Sequence, residues 1–242
     1  MPENNQNMQK KLDSVAAVIP AHNEQGNIAE AIEELLPELA RAASFFEIIV
    51  VDDGSSDKTG EVVSGISSQR PEVKLVRHGT NRGYGAALRS GFSAASKEWI
   101  FFTDGDRQFD PAEFEKLVGP ALSSGFAAGV RENRRDPPLR KLYGAAFSSI
   151  MRLVFGVRAR DVNCAFKLFR ADMLEGADLI SEGALINTEL FIAAAKKGIT
   201  PAEVPVSHRP RQWGEQSGGS PRVILRAIME TAALIVKKFT RP

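Results

Sequence analysis

The sequence predicts an α/β fold built on a mostly parallel sheet with helices on both faces. Two patterns carry that prediction. Short apolar runs alternate with helical periodicity through the first half of the chain, and polar residues gather just after each apolar run. The size agrees: 242 residues, 43% hydrophobic and 25% charged, make one large or two small globular domains with a full core.

The first dozen residues, MPENNQNMQKKL, are polar and lack the apolar stretch of a signal peptide, so 1–13 reads as a disordered lead-in to a domain over 14–220. VAAVIP is the first strand, and IAEAIEELLPELA the helix after it. EIIVVDD is the second strand, followed by a helix from about Asp57. VKLVRH, a helix through AALRSGFSAA and WIFFTDGD complete the series. His22, Asn23 and Glu24 follow the first strand, Asp52 and Asp53 the second, Asn81 and Arg82 the third, Asp104 and Asp106 the fourth. Open α/β sheets bind ligands beyond the carboxyl ends of their strands, so four strands deliver polar groups to one edge.

The stretch FFTDGDRQFDP is the most informative. Residues two apart on an extended segment point the same way, which sets the Asp104 and Asp106 carboxylates on one side of a strand end. Like charges that close ask for a cation, and a hard divalent ion such as Mg²⁺ takes oxygen ligands while keeping positions open for phosphates. Asp110 and Pro111 supply an N-cap and a first helical residue, so Asp110 is set aside from the chemistry.

From Arg131 to Arg160 the chain turns basic, with Arg and Lys at 131, 134, 135, 140, 141, 152, 158 and 160 against Glu132 and Asp136. Within it, 137–157 reads as an amphipathic helix: Leu139, Leu142, Tyr143, Ala146, Phe147, Ile150, Leu153 and Val154 share a face, with Arg140, Lys141, Ser148 and Arg152 elsewhere. Such a helix either packs on a core or lies in a membrane interface, and periodicity does not choose. NCAFKLF is a strand that buries Cys164, ELFIAAAKKG a helix and EVPVSHRP a last strand. A Gly- and Ser-rich loop, RQWGEQSGGSPR, carries Arg211 and Arg222, and 221–242 forms a C-terminal amphipathic helix.

Composition narrows the partners. A net charge of +1 gives no global field toward nucleic acid, which is not an expected partner. A single cysteine permits no internal disulfide and no cysteine metal cluster. No run reaches about 18 uninterrupted apolar residues, the length of a spanning helix; Arg226 and Glu230 interrupt the nearest approach, VILRAIMETAALIVKKF.

VIPAHNEQGNI, EIIVVDDGSSDKT, NRGYGAALRSGF, FFTDGDRQFDP, NCAFKLFR and EVPVSHRPRQWGEQS, in this order, resemble glycosyltransferase family 2, and within it the dolichyl-phosphate mannosyltransferase or polyprenyl-phosphate glycosyltransferase branch. The resemblance implies a GT-A fold that binds a nucleotide-diphosphate sugar, GDP- or UDP-linked, with Mg²⁺ or Mn²⁺. It assigns nucleotide-sugar binding to Pro20, Ala21, His22, Glu24, Val51, Asp53, Asp104, Gly105, Arg131 and Arg211. The metal falls to Asp104, Asp106 and Gln108, and the catalytic set is Asp104, Asp106 and Arg131. His22 stands where relatives carry Tyr or Phe against the base; it either stacks there or is an exposed loop histidine. Asp52 either orients its loop or joins the site. The loop lysine of the branch is absent from GEQSGGSPR; either Arg222 takes its place or acceptor and donor are handled differently.

The acceptor decides how much acid–base chemistry is needed. Family members that glycosylate hydroxyls place an Asp at the start of the helix that here begins INTELF; this chain has Glu189 one step along, read as structural because acids near a helix start are favoured regardless of catalysis. A phosphate needs no base. The expectation is an inverting, metal-dependent transfer of a hexose to a polyprenyl (dolichyl or undecaprenyl) phosphate by a protein peripheral to the cytoplasmic, inner face of the membrane. Its rivals are a soluble family 2 transferase acting on a saccharide or other hydroxyl, a nucleotidyltransferase, and a non-catalytic membrane-associated nucleotide-sugar-binding partner.

Overall fold

A computed structural model describes residues 11–132, 148–157, 159–211, 213 and 221–240, with side chains of the last helix described over 225–236. Residues 1–10 of the expected lead-in, most of the expected helix at 137–157, and most of the Gly- and Ser-rich loop lie outside them. The elements run β1 (Leu12–Ala21), α1 (Ile28–Ala42), β2 (Ala43–Asp52), α2 (Thr59–Gln69), β3 (Val73–Arg77), α3 (Tyr84–Ala94), β4 (Trp99–Thr103), a 3₁₀ turn (Pro111–Glu113), α4 (Phe114–Ser124) and β5 (Phe126–Glu132). Then come α5 (148–155), β6 (Phe166–Arg170), a 3₁₀ turn (Ala171–Leu174), α6 (Ile186–Lys196), β7 (Ala202–Ser207) and α7 (Pro221–Thr240).

The seven strands form one sheet in the order β3-β2-β1-β4-β6-β5-β7. Pairings are parallel except that β6 runs antiparallel to both neighbours. The central strands are apolar without alternation because both faces are covered, and Val15 through Ile19 and Ile48 through Val51 have no exposed surface. Leu12 is also fully buried and pairs with Ala43, so β1 begins inside the stretch expected as lead-in.

Helices divide between the two faces. Ile19 looks toward α1, whose Ile28 it meets at Gly105. Val18, one residue earlier, looks toward α3. There Gly91 lets α3 lie directly on the sheet, since a Cβ at that position would sit 2.3 Å from Val18 Cγ1. The aromatic core divides likewise: Phe101 meets Phe114 of α4 and Phe166 at 4.7 and 4.9 Å between centroids, whereas Phe102 and Phe169 both pack on Phe92 of α3.

The expected face of the helix at 137–157 differs from that observed. In α5 the residues turned inward are Ser148 and Met151, while Ile150 and Leu153, expected on the apolar face with six others, are exposed. The five other members from Leu139 to Phe147 lie outside the described residues. Cys164 is buried in the core beneath Gly129, as expected, and burial pushes its thiol up to about 12.

Candidate active site

The carboxyl ends of β1, β2, β4, β5 and β7 and the amino end of β6 share one sheet edge. The candidates after β1, β2 and β4, with Arg131 and Arg211, stand along it or on the loops above it, whereas Glu189 lies on α6 and Arg222 on α7.

At the end of β1, Pro20 and Ala21 are buried beside Val51 and Asp52, their register partners in β2. The chain then turns through Asn23, held at φ 57°. Asn23 binds Ser55 through its backbone and Ser56 through its side chain. His22 is exposed, with Nδ1 3.0 Å from the Asp53 carbonyl oxygen. That oxygen only accepts, so Nδ1 carries the proton and Nε2 is left to accept from Asn23 Nδ2 at 3.3 Å. Glu24 is buried; its backbone N–H donates to Thr59 Oγ1, and its carboxylate accepts from Asn27 Nδ2 at 2.7 Å and from Arg211. Burial raises its pKa against the pull of Asn27 and Arg211. The second helix begins at Thr59 rather than at Asp57, whose carboxylate accepts from Thr59 N at 2.9 Å.

Asp53 at the end of β2 has a structural task. Its Oδ1 accepts from His78 Nδ1 at 2.6 Å and Arg82 N at 2.9 Å, and its Oδ2 from Gly83 N at 2.8 Å. It therefore fixes the approach to α3, and His78 passes the contact on to Ser90 Oγ at 2.9 Å. Asp52 accepts from Ser55 N and from Arg77 Nε, so it orients its loop. His78 had no sequence signal beyond closing VKLVRH.

Beyond β4 the two aspartates do come together, by a different route from the one expected. The strand ends at Thr103, and Asp104 to Arg107 form a turn in which Arg107 takes φ 58° and binds Glu30 and Glu34 of α1. A turn rather than strand pleating brings the carboxylates within each other's field. Burial first, and the Asp106 charge next, push Asp104 up to about 7. Asp104 Oδ1 is buried without a hydrogen-bond partner among the described residues. Asp106 accepts from Gln108 N at 3.2 Å, Gln108 Nε2 donates to the Arg209 carbonyl, and Gly105 packs on Ile19 and Ile28. Asp110 accepts from Ala112 N at 3.1 Å, the capping role expected of it.

These residues fit a hard divalent ion: an orphaned buried carboxylate oxygen and a second carboxylate that opposes its ionisation are what a cation would relieve. No three His, Cys, Asp or Glu side chains gather for a metal among the described residues. An ion here would draw on Asp104, Asp106 and the Gln108 amide, leaving positions for ligand oxygens.

Two arginines flank the turn. Arg131 in β5 is clamped by Asp161, Nε to Oδ2 at 2.7 Å and Nη2 to Oδ1 at 2.8 Å. Arg211 reaches in from the loop after β7, donating to Glu24, to Asp106 Oδ2 at 3.4 Å and to the Trp213 carbonyl at 2.7 Å. Trp213 lies on Gly26, where a Cβ would come 2.6 Å from the indole. Glu189 in α6 points both carboxylate oxygens at the backbone N–H groups of Ile180 and Ser181, at 3.2–3.3 Å. The Arg222 side chain lies outside those described. Sequence reasoning missed Asp161, whose only signal is its place just after the basic run, and it missed Tyr84 and Lys167, which act on the Asp104 carboxyl, and Asn187, which accepts from Lys167 at 2.7 Å.

Residues 16–190 match the family model described as Glycosyl transferase family 2. The undecaprenyl-phosphate 4-deoxy-4-formamido-L-arabinose transferase of Edwardsiella ictaluri (strain 93-146) is 28% identical over 218 residues, covering 89% of this chain and 66% of that protein. That of Pectobacterium carotovorum subsp. carotovorum (strain PC1) is 31% identical over 206 residues, covering 84% and 62%. The chain thus spans slightly less than two thirds of these relatives. Among solved structures, mannosyl-3-phosphoglycerate synthase from Rubrobacter xylanophilus superposes with a TM-score of 0.74 at 19% identity, over 94% of this chain and 75% of that one. Glucosyl-3-phosphoglycerate synthase from Mycobacterium tuberculosis, in complex with Mn²⁺, UDP and glucosyl-3-phosphoglycerate, gives 0.68 at 20% identity, over 93% and 78%.

Proposed function

The chain belongs to glycosyltransferase family 2, and from that premise we propose that it transfers a hexose from a nucleotide-diphosphate sugar to a polyprenyl phosphate, inverting the anomeric carbon. Its fold is the GT-A fold. The names of its curated relatives supply the acceptor class, undecaprenyl phosphate.

The observation that carries the acceptor is the engagement of Glu189. A hydroxyl nucleophile needs a carboxylate base within hydrogen-bond reach. The acid at the start of α6 instead holds the backbone of Ile180 and Ser181 with both oxygens. A phosphate acceptor brings an anionic oxygen that attacks unaided. That oxygen forms the new bond to the anomeric carbon as the bond to the diphosphate breaks on the opposite face, and the diphosphate leaves with the electron pair.

The remaining residues take roles around that step. Pro20, Ala21, His22, Glu24, Val51, Asp53 and Gly105 frame the nucleoside. Asp104, Asp106 and Gln108 would hold Mg²⁺ or Mn²⁺, which when bound neutralises charge on the departing diphosphate. Arg131, oriented by Asp161, meets the diphosphate with a planar guanidinium. Arg211 exchanges Glu24 and Asp106 for phosphate oxygens when the donor enters.

Peripheral attachment to the cytoplasmic face of the membrane belongs to the same reading. No described helix is long and apolar enough to cross a membrane. Leu225, Ile228, Met229 and Val236 form an exposed stripe on α7, and Ile150 and Leu153 are exposed on α5, which supports helices lying in the interface.

The test is a panel of GDP- and UDP-sugars, pentose and hexose donors included, offered with and without undecaprenyl phosphate. Lipid-linked product that requires both substrates and a divalent ion is the expected result. Transfer to soluble saccharides with none to the lipid would overturn the acceptor.

A further inference from the structure

Helix α7 meets the rest of the domain along one stripe. Ala227, Glu230 and Thr231 are half-buried and Leu234 is buried, while Leu225, Ile228, Met229 and Val236 are exposed. Spacings of three and four set the first group on one side of the helix. Glu230 is the charged member of that group. Its Oε1 accepts from Glu182 N at 2.9 Å and from Gly183 N at 2.8 Å. Gly183 makes room for it, since a Cβ there would come 3.0 Å from Oε2. Hydrogen bonds to an ionised acceptor are among the stronger ones in proteins.

The segment that Glu230 holds has no strand or helix to fix it, for residues 177–181 are irregular. Side chains take its donors instead. Glu189 of α6 accepts from Ile180 N and Ser181 N, and Glu230 of α7 accepts from Glu182 N and Gly183 N. Two carboxylates on different helices divide four consecutive backbone donors between them. The carbonyls of the segment turn to α3: Glu182 O accepts from Gly85 N at 2.7 Å, and Ser181 O accepts from Arg89. Gly85 lies so near that a Cβ would stand 2.4 Å from Ser181 O. Asp53 grips the same end of α3 from the sheet, through Arg82 N and Gly83 N. The path from α7 to Asp53 therefore runs through hydrogen bonds to backbone, and a shift of the segment carries the amino end of α3 with it.

We propose that Glu230 is a positioning residue for the donor: it latches α7 to the 180–183 segment and, through that segment, sets the amino end of α3 against Asp53. This rests on the reading of Asp53 as part of the nucleoside frame. A latch and a bare charge have opposite signs. A nucleoside diphosphate is anionic, so loss of the Glu230 charge acting through space would tighten its binding, whereas loss of the latch weakens it.

The variants are Glu230→Ala, Glu230→Gln and Glu230→Asp in the full chain, with UDP and GDP in Mg²⁺ as probes. They are read by calorimetric titration, by kcat and donor KM, and by amide exchange without ligand. Glu230→Ala removes both bonds and should speed exchange at Arg82, Gly83 and Gly85 as well as at Glu182 and Gly183. Nucleotide Kd and donor KM should rise about three- to tenfold, the scale of couplings carried through contiguous networks. Turnover at saturating donor should stay within about threefold, because the latch acts on binding. Glutamine loses the same charge but keeps an oxygen where the two donors converge, so Glu230→Gln should bind nucleotide more tightly than Glu230→Ala. Aspartate keeps the charge and draws it back from both donors, so Glu230→Asp should weaken binding too, and it carries the test if Glu230→Ala does not fold. A tie with no further role would speed exchange at Glu182 and Gly183, lower the melting temperature and stop there.

Unchanged or tighter nucleotide binding in Glu230→Ala and Glu230→Asp, while wild type binds and transfers normally, overturns the latch alone. Faster exchange confined to Glu182 and Gly183 does the same. A wild type that binds nucleotide but forms no lipid-linked product sinks the acceptor reading, and weakened nucleotide binding in the variants then still upholds the latch. A wild type that binds neither UDP nor GDP overturns both.

Discussion

Replacing Glu189 with Gln separates a structural acid from a catalytic base. The side chain is 4% exposed, and its oxygens accept from Ile180 N and Ser181 N at 3.2–3.3 Å. Glutamine keeps the volume and one acceptor oxygen but turns an NH₂ toward the second donor. Losing one charge-assisted bond costs about 1.5–3 kcal/mol. At about 2–4 °C per kcal/mol for a chain of this size, the melting temperature should fall by roughly 3–12 °C. Rate per folded molecule should stay within about threefold, since a phosphate acceptor has no proton to lose. Calorimetry gives the first number, and single-turnover transfer with the best donor of the panel gives the second. A fall of about 10² to 10⁴ in rate at an unchanged melting temperature would refute the structural assignment and restore a hydroxyl acceptor.

Asp106→Ala should lower turnover by more than about a hundredfold while circular dichroism stays native, and excess chelator should do the same to wild type; full transfer in chelator removes the metal from the mechanism. Burial and the Asp106 charge push Asp104 from 3.8 to about 7. A carboxyl with a raised folded pKa stabilises the fold below its ordinary value and loses that contribution as pH rises through 7. The metal-free protein should therefore melt lower at pH 8 than at pH 5, and Asp104→Asn should flatten that slope. Ile228→Asp with Met229→Asp on α7, or Leu153→Asp on α5, should reduce flotation with anionic liposomes at low salt, and binding of wild type should weaken as salt is added; unchanged flotation would detach these helices from the membrane.

The sequence made the alternation of strands and helices legible because the buried centres of parallel strands are apolar runs, as VAAVI of β1 and IIVV of β2 are. It did not show that β6 runs backwards, since an apolar run carries no direction, and NCAFKLF in fact begins with the turn that supplies carbonyls to Lys167. The carboxylates at 104 and 106 were readable as a pair from composition and spacing. Their geometry was not, because a left-handed Arg107 held by two glutamates on α1 decides it. Asp53 read as a ligand for the nucleoside, and the structure shows how much of it serves His78, Arg82 and Gly83. Asp161 and Lys167 escaped for one reason: their partners, Arg131 and Asn187, are 30 and 20 residues away, beyond the reach of any local pattern.

The hold that Arg211 and Trp213 keep on the turn after β1 bears on how binding would be screened. In the structure the guanidinium serves Glu24 and Asp106 as counter-ion. A divalent ion arriving alone must displace one cation to install another, and the arginine it evicts gains nothing in return. Melting-temperature shifts recorded ion by ion should therefore be small, and a required metal would rank beside inert salts. Adding a nucleoside diphosphate changes the exchange, because its phosphates offer Arg211 a new anion while the ion takes the carboxylates. The shift for metal and nucleotide together should exceed the sum of the separate shifts, and the fluorescence of Trp213, seated on Gly26, should change in the same titration.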